Sequence, residues 1–95
     1  MNEKSKIFFN KKVLIYGLGK SGLSSFHFLK SKNEVYLYDD DTNLRVSNSI
    51  KKRILSIKKL SKLKFDFIII SPGINKNNCK LKGLLKKNYK NIYTD

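Results

Sequence analysis

Arginine is nearly absent from this 95-residue chain, although the chain is strongly basic. Of its 21 basic residues only Arg45 and Arg53 are arginine, set against seven acidic residues and a formal charge of +14. Arginine is the side chain that grips phosphate or a base edge in a fixed fork, so its scarcity argues against a nucleic-acid partner. The lysines read instead as a solvated surface. Cysteine is represented once, by Cys79, which rules out an internal disulfide and suits a reducing cytoplasm. No apolar run approaches the ~20 residues that span a bilayer. The N-terminal run Ile7-Phe8-Phe9 is too short for the core of a signal peptide. A soluble cytoplasmic protein with no membrane partner is the expectation. Internal repeats and Pro/Gly/Ser linkers are also lacking, and the length suits one small domain, 1–95.

What is present alternates between two periodicities. "KVLIYG" (12–17), "EVYLYD" (34–39), "FDFIIIS" (65–71) and "NIYT" (91–94) are apolar, β-branched or aromatic runs bounded by polar or turn residues, and they read as strands. Ser21 to Lys30 places Leu23, Phe26 and Leu29 or Lys30 on one helical face, with Ser24 and Ser25 small enough to bring that helix close to a sheet. Leu81 to Lys87 reads as a short helix. Between 43 and 63 the periodicity of Ile50, Ile54, Ile57 and Leu60 suits one helix. A short strand over Ile54 to Ile57 between two short helices is the alternative, and a βαβ pattern favours it. The sum is an α/β, Rossmann-like open sheet, mainly parallel, of about five strands with helices on both faces. Ligands of such sheets bind beyond the carboxyl ends of the strands, where strand order reverses. Those ends are Gly17, Asp39 and Ser71 onward.

The stretch "YGLGKSG" (16–22) admits two phosphate-binding readings. An ATP-type P-loop needs a glycine five positions before the Gly of Gly-Lys-Ser, and counting back from Gly19 reaches Leu14, inside a strand. Gly17-x-Gly19-x-x-Gly22 satisfies the other pattern: it follows a strand and opens a helix. Gly17 permits the tight turn, Gly19 allows close approach of a ligand, and Gly22 lets helix and strand pack. The N–H groups of Lys20, Ser21 and Gly22 would then face an anion at the positive end of the helix. Asp39 stands where the ribose-binding acid of an NAD site belongs, so an NAD(P)-binding domain is an open alternative on these residues. Asp41 or Thr42 could cap a following helix.

Taken together in this order and spacing, "GLGKSGLS", the strand ending in Asp39 and "IIISPGIN" resemble the N-terminal domain of the Mur ligases, in particular the D-glutamate-adding branch. The resemblance runs from Val13 to Asp95. It implies a domain that holds the UDP part of UDP-N-acetylmuramoyl-L-alanine in peptidoglycan synthesis. Gly19, Lys20, Ser21 and Gly22 would approach the diphosphate, with Gly17 also part of the UDP site, Asp39 and Asp40 would lie at uracil and ribose, and Ser71, Pro72 and Gly73 would form another wall. The two further aspartates after Asp39 depart from the usual family pattern, as does Thr94 where a glycine is common.

The resemblance also implies that ATP and Mg²⁺ chemistry resides in central and C-terminal domains outside 1–95. No catalytic residue, metal ligand or cofactor is therefore expected within this chain. His27 has no acid–base partner in sequence and reads as a packed or solvent-facing residue. Cys79 lies in a polar loop, without a partner for nucleophilic work. The tyrosines and phenylalanines read as core packing rather than base-stacking platforms.

Overall fold

The computed structural model describes residues 9–41, 43–75 and 77–94. Four strands form one sheet: β1 (Lys12–Tyr16), β2 (Glu34–Tyr38), β3 (Phe67–Ile70) and β4 (Ile92–Thr94). Four helices accompany them: α1 (Lys20–Leu29), α2 (Asn48–Lys51), α3 (Ile57–Ser61) and α4 (Lys82–Lys87), with a 3-10 turn at Tyr89–Asn91. The strand order is β2-β1-β3-β4, and every pairing is parallel. All four carboxyl ends therefore face the same way.

A parallel sheet must be covered on both faces, so its strands are apolar at every position rather than at alternate ones. Here alternation instead sorts the side chains into two cores. Val13, Ile15, Val35, Leu37 and Ile69 face α1 and α2 through Phe26, Leu29 and Ile50. Leu14, Tyr16, Tyr38, Ile68 and Ile70 face α3 and α4 through Leu60, Leu84 and Leu85. Burial of one such aliphatic side chain contributes roughly 1.5–3 kcal/mol. The run Ile68–Ile70 serves both cores and makes β3 an interior strand.

α1 lies close to the sheet because small residues face it. Gly22 and Ser25 are buried there, whereas Ser24 is exposed and plays no part in that approach. Phe26 also carries a cation on its ring from outside the helix: the Arg53 guanidinium carbon is 5.1 Å from its centroid. That contact ties the segment after α2 back onto α1.

The region 43–63 follows the second of the two sequence readings in reduced form. Two short helices flank a single parallel bridge, Leu37↔Ile54, beside the outer edge of β2. The fifth strand is this one rung. Ile57, the last residue of the expected strand, instead begins α3, and Ser56 caps that helix by accepting a hydrogen bond from the Lys59 amide at 3.3 Å. The expected helix cap at Asp41 is a turn: Asp41 Oδ1 accepts from the Asn43 amide at 2.9 Å, and Thr42 lies outside the described residues. Residues 1–8 and Asp95, on which the N-terminal and C-terminal readings partly rest, lie outside them too.

Strand order reverses between β1 and β3. The chain moves outward from β1 to β2 and the Ile54 rung, then crosses back to place β3 on the other side of β1. The crevice at this reversal opens at the carboxyl ends.

The rung beside β2 is held by long hydrogen bonds, Leu37 N–H to Arg53 O and Leu55 N–H to Leu37 O, both 3.3 Å. We expect the amides of Leu37 and Leu55 to exchange with solvent at least tenfold faster than those of Leu14 and Ile15 in the sheet interior, because local opening of an edge costs less than global unfolding. Amide hydrogen exchange followed by NMR measures this directly.

Candidate functional site

Three loops leave the carboxyl ends of β1, β2 and β3, and those after β1 and β3 begin on a paired backbone. The Gly17 amide donates to Tyr38 O at 2.9 Å, and the Ser71 amide donates to Tyr16 O at 3.0 Å. Gly17 and Ser71 are therefore as firmly placed as the strands they follow.

The β1–α1 turn is built from its glycines unequally. Gly17 has φ of 102°, a region closed to most side chains, and a Cβ there would stand 2.7 Å from Ser71 Cβ and 3.0 Å from Ile74 Cδ1. A Cβ on Gly22 would overlap the Gly17 carbonyl oxygen. Helix and strand thus meet backbone to backbone. Gly19 is different. It is the N-cap of α1, in extended conformation, and nothing lies within 4 Å of a Cβ built on it. Its lack of a side chain leaves open space outside the turn.

That open space faces the start of α1. The N-cap supplies no side-chain hydrogen bond, and the first turn has no acidic residue. The main-chain N–H groups of Lys20, Ser21 and Gly22 take no partner among the described residues. Lys20 and Ser21 are exposed and Gly22 is buried. Unpaired amides and the helix dipole make this an anion-binding geometry. Lys20 adds a positive charge where an unliganded helix would favour a negative one.

The β2 tip braces this turn. Asp39 Oδ2 accepts from the Leu18 amide at 2.7 Å, and its Oδ1 accepts from the Asp41 amide at 2.8 Å. Asp40 Oδ1 accepts from the Tyr16 hydroxyl at 2.5 Å, and the Asp40 carbonyl accepts from Lys80 Nζ at 2.9 Å. Both aspartates singled out in the sequence are therefore at the carboxyl edge beside the glycine turn, and both hold local structure. Burial, followed by the charges of Asp40 and Asp39, raises the Tyr38 phenol above its ordinary pKa.

Next to the brace lies a cavity of about 420 Å³ lined by Tyr38, Asp39, Asp41, Leu44, Lys51 and Ile54. It is within the size range of small-ligand sites and mixes apolar walls with a few charged groups. Asp39 is common to this cavity and to the glycine turn. A larger concavity, about 540 Å³, sits at the opposite end of the sheet around Lys12, Asn33 and Asp66. It has no access to the amides of α1, and it lies at the end of a parallel sheet where ligands are not bound.

On the other side of the reversal, Ser71 packs on Gly17, while Pro72 and Gly73 are exposed at the rim in a turn closed by the Ile74 amide donating to Ser71 O at 3.1 Å. The fold thus brings all ten sequence-predicted residues to one edge. Lys51, Leu44 and Ile54, which line the cavity, were invisible as site residues. They belong to a lysine- and isoleucine-rich stretch, and nothing in its spacing sets them apart. His27 is exposed beside Lys30, its Nδ1 3.4 Å from Lys30 Nζ. Cys79 is partly buried and packs against the cluster that holds Tyr16.

Comparison with known proteins adds an independent observation. Residues 11–92 match the model of the Mur ligase MurD-like N-terminal domain. Among curated relatives, the UDP-N-acetylmuramoylalanine–D-glutamate ligase of Buchnera aphidicola from Schizaphis graminum is 34% identical over 73 residues, covering 72% of this chain and 17% of the relative. The ligase of the same name from Rickettsia conorii is 32% identical over 80 residues, covering 78% of this chain and 15% of the relative. That from Buchnera aphidicola of Baizongia pistaciae is 32% identical over 91 residues, covering 85% and 20%. The chain thus spans a fifth or less of the length of these relatives. No solved structure matches it significantly.

Two alanine substitutions separate the roles of the glycines. Gly22→Ala places a methyl group on the Gly17 carbonyl and should destabilise the fold by about 3 kcal/mol or more. Gly19→Ala meets open space in a backbone region open to any residue and should change stability by less than ~1 kcal/mol. Urea denaturation of the two variants gives both values.

Proposed function

Since the chain belongs to the MurD-like N-terminal domain family of the Mur ligases, we propose that it binds the uridine diphosphate part of UDP-N-acetylmuramoyl-L-alanine. It would do so as the N-terminal, nucleotide-holding domain of an ATP-dependent D-glutamate-adding ligase of peptidoglycan synthesis. The observation that carries this reading is the open amide cluster of Lys20, Ser21 and Gly22, placed at the strand-order reversal and joined through Asp39 to the 420 Å³ cavity. The diphosphate sits on the amides, with Lys20 as its counter-charge. The uridine extends across the β2 tip toward the cavity, with Asp39 and Asp40 beside it. Ser71, Pro72 and Gly73 close the opposite side.

A ligase of this class needs ATP and Mg²⁺, and the residues of this chain do not fit them. Leu14 stands inside β1 where a P-loop glycine would have to be, and the glycine turn is committed to the close contact of Gly17 with Gly22. Among the described residues, no three His, Cys, Asp or Glu side chains cluster to hold a metal ion. This reading therefore places ATP and Mg²⁺ in central and C-terminal domains and assigns no catalytic residue within 1–95.

An NAD(P) ligand is the alternative on the same residues, since Asp39 ends β2 where a ribose-binding acid stands. Each of its oxygens already accepts one main-chain amide, and the lone pairs left could meet the sugar of either nucleotide.

Calorimetric titration of the chain with UDP, UDP-N-acetylmuramoyl-L-alanine, NAD, NADP and duplex DNA tests the reading. Saturable binding of the two uridine nucleotides and none of NAD is expected. Saturation by NAD with no response to UDP would overturn it. Lys20→Ala should weaken UDP binding by roughly tenfold, the value of one charge-assisted hydrogen bond at a partly exposed site.

A further inference from the structure

Tyr16 is the last residue of β1 and is wholly buried, in a position where its neighbours Leu14 and Ile15 are aliphatic. A phenol at such a place carries a desolvation cost that an apolar ring would not, unless its hydroxyl is bonded. The hydroxyl donates to Asp40 Oδ1 at 2.5 Å. Cys79 and Leu81 pack in the same cluster as the Tyr16 ring. Lys80, between those two, donates from Nζ to the Asp40 carbonyl at 2.9 Å. Three consecutive residues of the segment after β3 thus converge on the Tyr16–Asp40 pair. Near its start, the same segment rests on the glycine turn through Ser71 and Ile74. Burial, reinforced by the Asp40 hydrogen bond, pushes the Tyr16 phenol far above its ordinary pKa, so it is a neutral donor at any physiological pH.

We propose that Tyr16 is a positioning residue for the uridine site: its hydroxyl holds Asp40 at the β2 tip and, through Asp40, pins residues 79–81 over the strand ends. Tyr16 itself touches no ligand. It acts by fixing the carboxylate that does, together with the segment forming the wall beside it. The inference rests on the uridine reading of the same edge and adds to it a link between β1, the β2 tip and residues 79–81. Shape filling is not what the hydroxyl contributes, because a phenyl ring would keep the contact with Tyr38, whose ring centroid is 5.8 Å away.

The test uses Tyr16→Phe, Asp40→Ala and the double variant in the whole chain, with two readouts. In UDP titrations Tyr16→Phe should lose about fivefold to tenfold in affinity, the scale of one buried hydrogen bond. The double variant should lose no more than Asp40→Ala alone, since a residue that acts only through its partner gives non-additive losses. Additive losses, or a Tyr16→Phe chain that binds UDP like the parent, would overturn the proposal. Amide exchange without ligand is the second readout. Tyr16→Phe should speed exchange of the Lys82 amide, which donates to Cys79 O at 3.2 Å within the pinned segment, and leave Leu14 and Ile15 unchanged. Uniform acceleration would show only a general loss of stability and would count against the proposal. If the parent chain itself fails to bind UDP, the uridine reading falls, and the exchange measurement alone decides whether Tyr16 pins residues 79–81.

Discussion

Everything at the carboxyl edge of the sheet depends on the direct contact of the Gly17 carbonyl with Gly22. Two backbones meet there with no side chain between them. This closeness turns the chain sharply into α1, whose first amides, of Lys20, Ser21 and Gly22, take no partner among the described residues. The positive φ of Gly17 is part of the same constraint, because Ser71 and Ile74 occupy the volume that a side chain would need. A conformational requirement of one residue thus couples β1, α1 and the segment after β3. The parallel order of the sheet then adds the β2 tip to the same edge.

The charge of the molecule takes on a different meaning once this edge is built. Most of the described lysines are exposed, as expected of a solvated surface, and the ion pair of Lys12 with Glu34 at 3.5 Å stands at the opposite end of the sheet. Charge at the surface is screened over about 8–10 Å in physiological salt, so it can raise the local concentration of an anion without choosing among anions. Selection has to come from fixed donors. Those are the α1 amides, which cost no side-chain entropy to hold, and Lys20, whose charge no acidic residue of the first turn neutralises.

The fold was legible in the sequence because its signals are local and repeated. Four apolar runs, each followed by a polar loop, are strands within a residue or two of their expected limits, and the glycine spacing locates the one turn that must be tight. The region 43–63 was legible only as a pair of alternatives, since Ile50, Ile54, Ile57 and Leu60 suit helical spacing and β-branching alike. Tertiary context decided it, by offering Ile54 a single rung on β2. The positions of the site residues were readable for the same reason as the strands: a parallel sheet collects whatever follows its carboxyl ends. Their partners were not readable. The bond between Tyr16 and Asp40 joins residues 24 apart, and that between Lys80 and Asp40 joins residues 40 apart. Neither leaves a trace in spacing or composition. Lys51 enters the cavity wall only because α2 folds back toward β2.

The run Asp39-Asp40-Asp41 shows how the edge reconciles acids with an anion site. Three of the seven acidic residues of the chain stand here, next to amides suited to a phosphate. Bare carboxylates in that place would repel the anion and weaken the site. Each instead has a donor of its own: two main-chain amides for Asp39, the Tyr16 phenol for Asp40 and the Asn43 amide for Asp41. A carboxylate bound to fixed donors is oriented, part of its charge is offset locally, and its remaining lone pairs point in defined directions. An oriented acceptor of this kind suits neutral N–H or O–H donors of a base or sugar, while the amides of α1 stay free for negative charge. The acids therefore set the polarity of the edge, acceptors at the β2 tip and donors at the α1 start. In the proposed complex, a nucleotide with its negative charge at one end and its hydrogen-bond donors at the other would lie across that edge in one direction only.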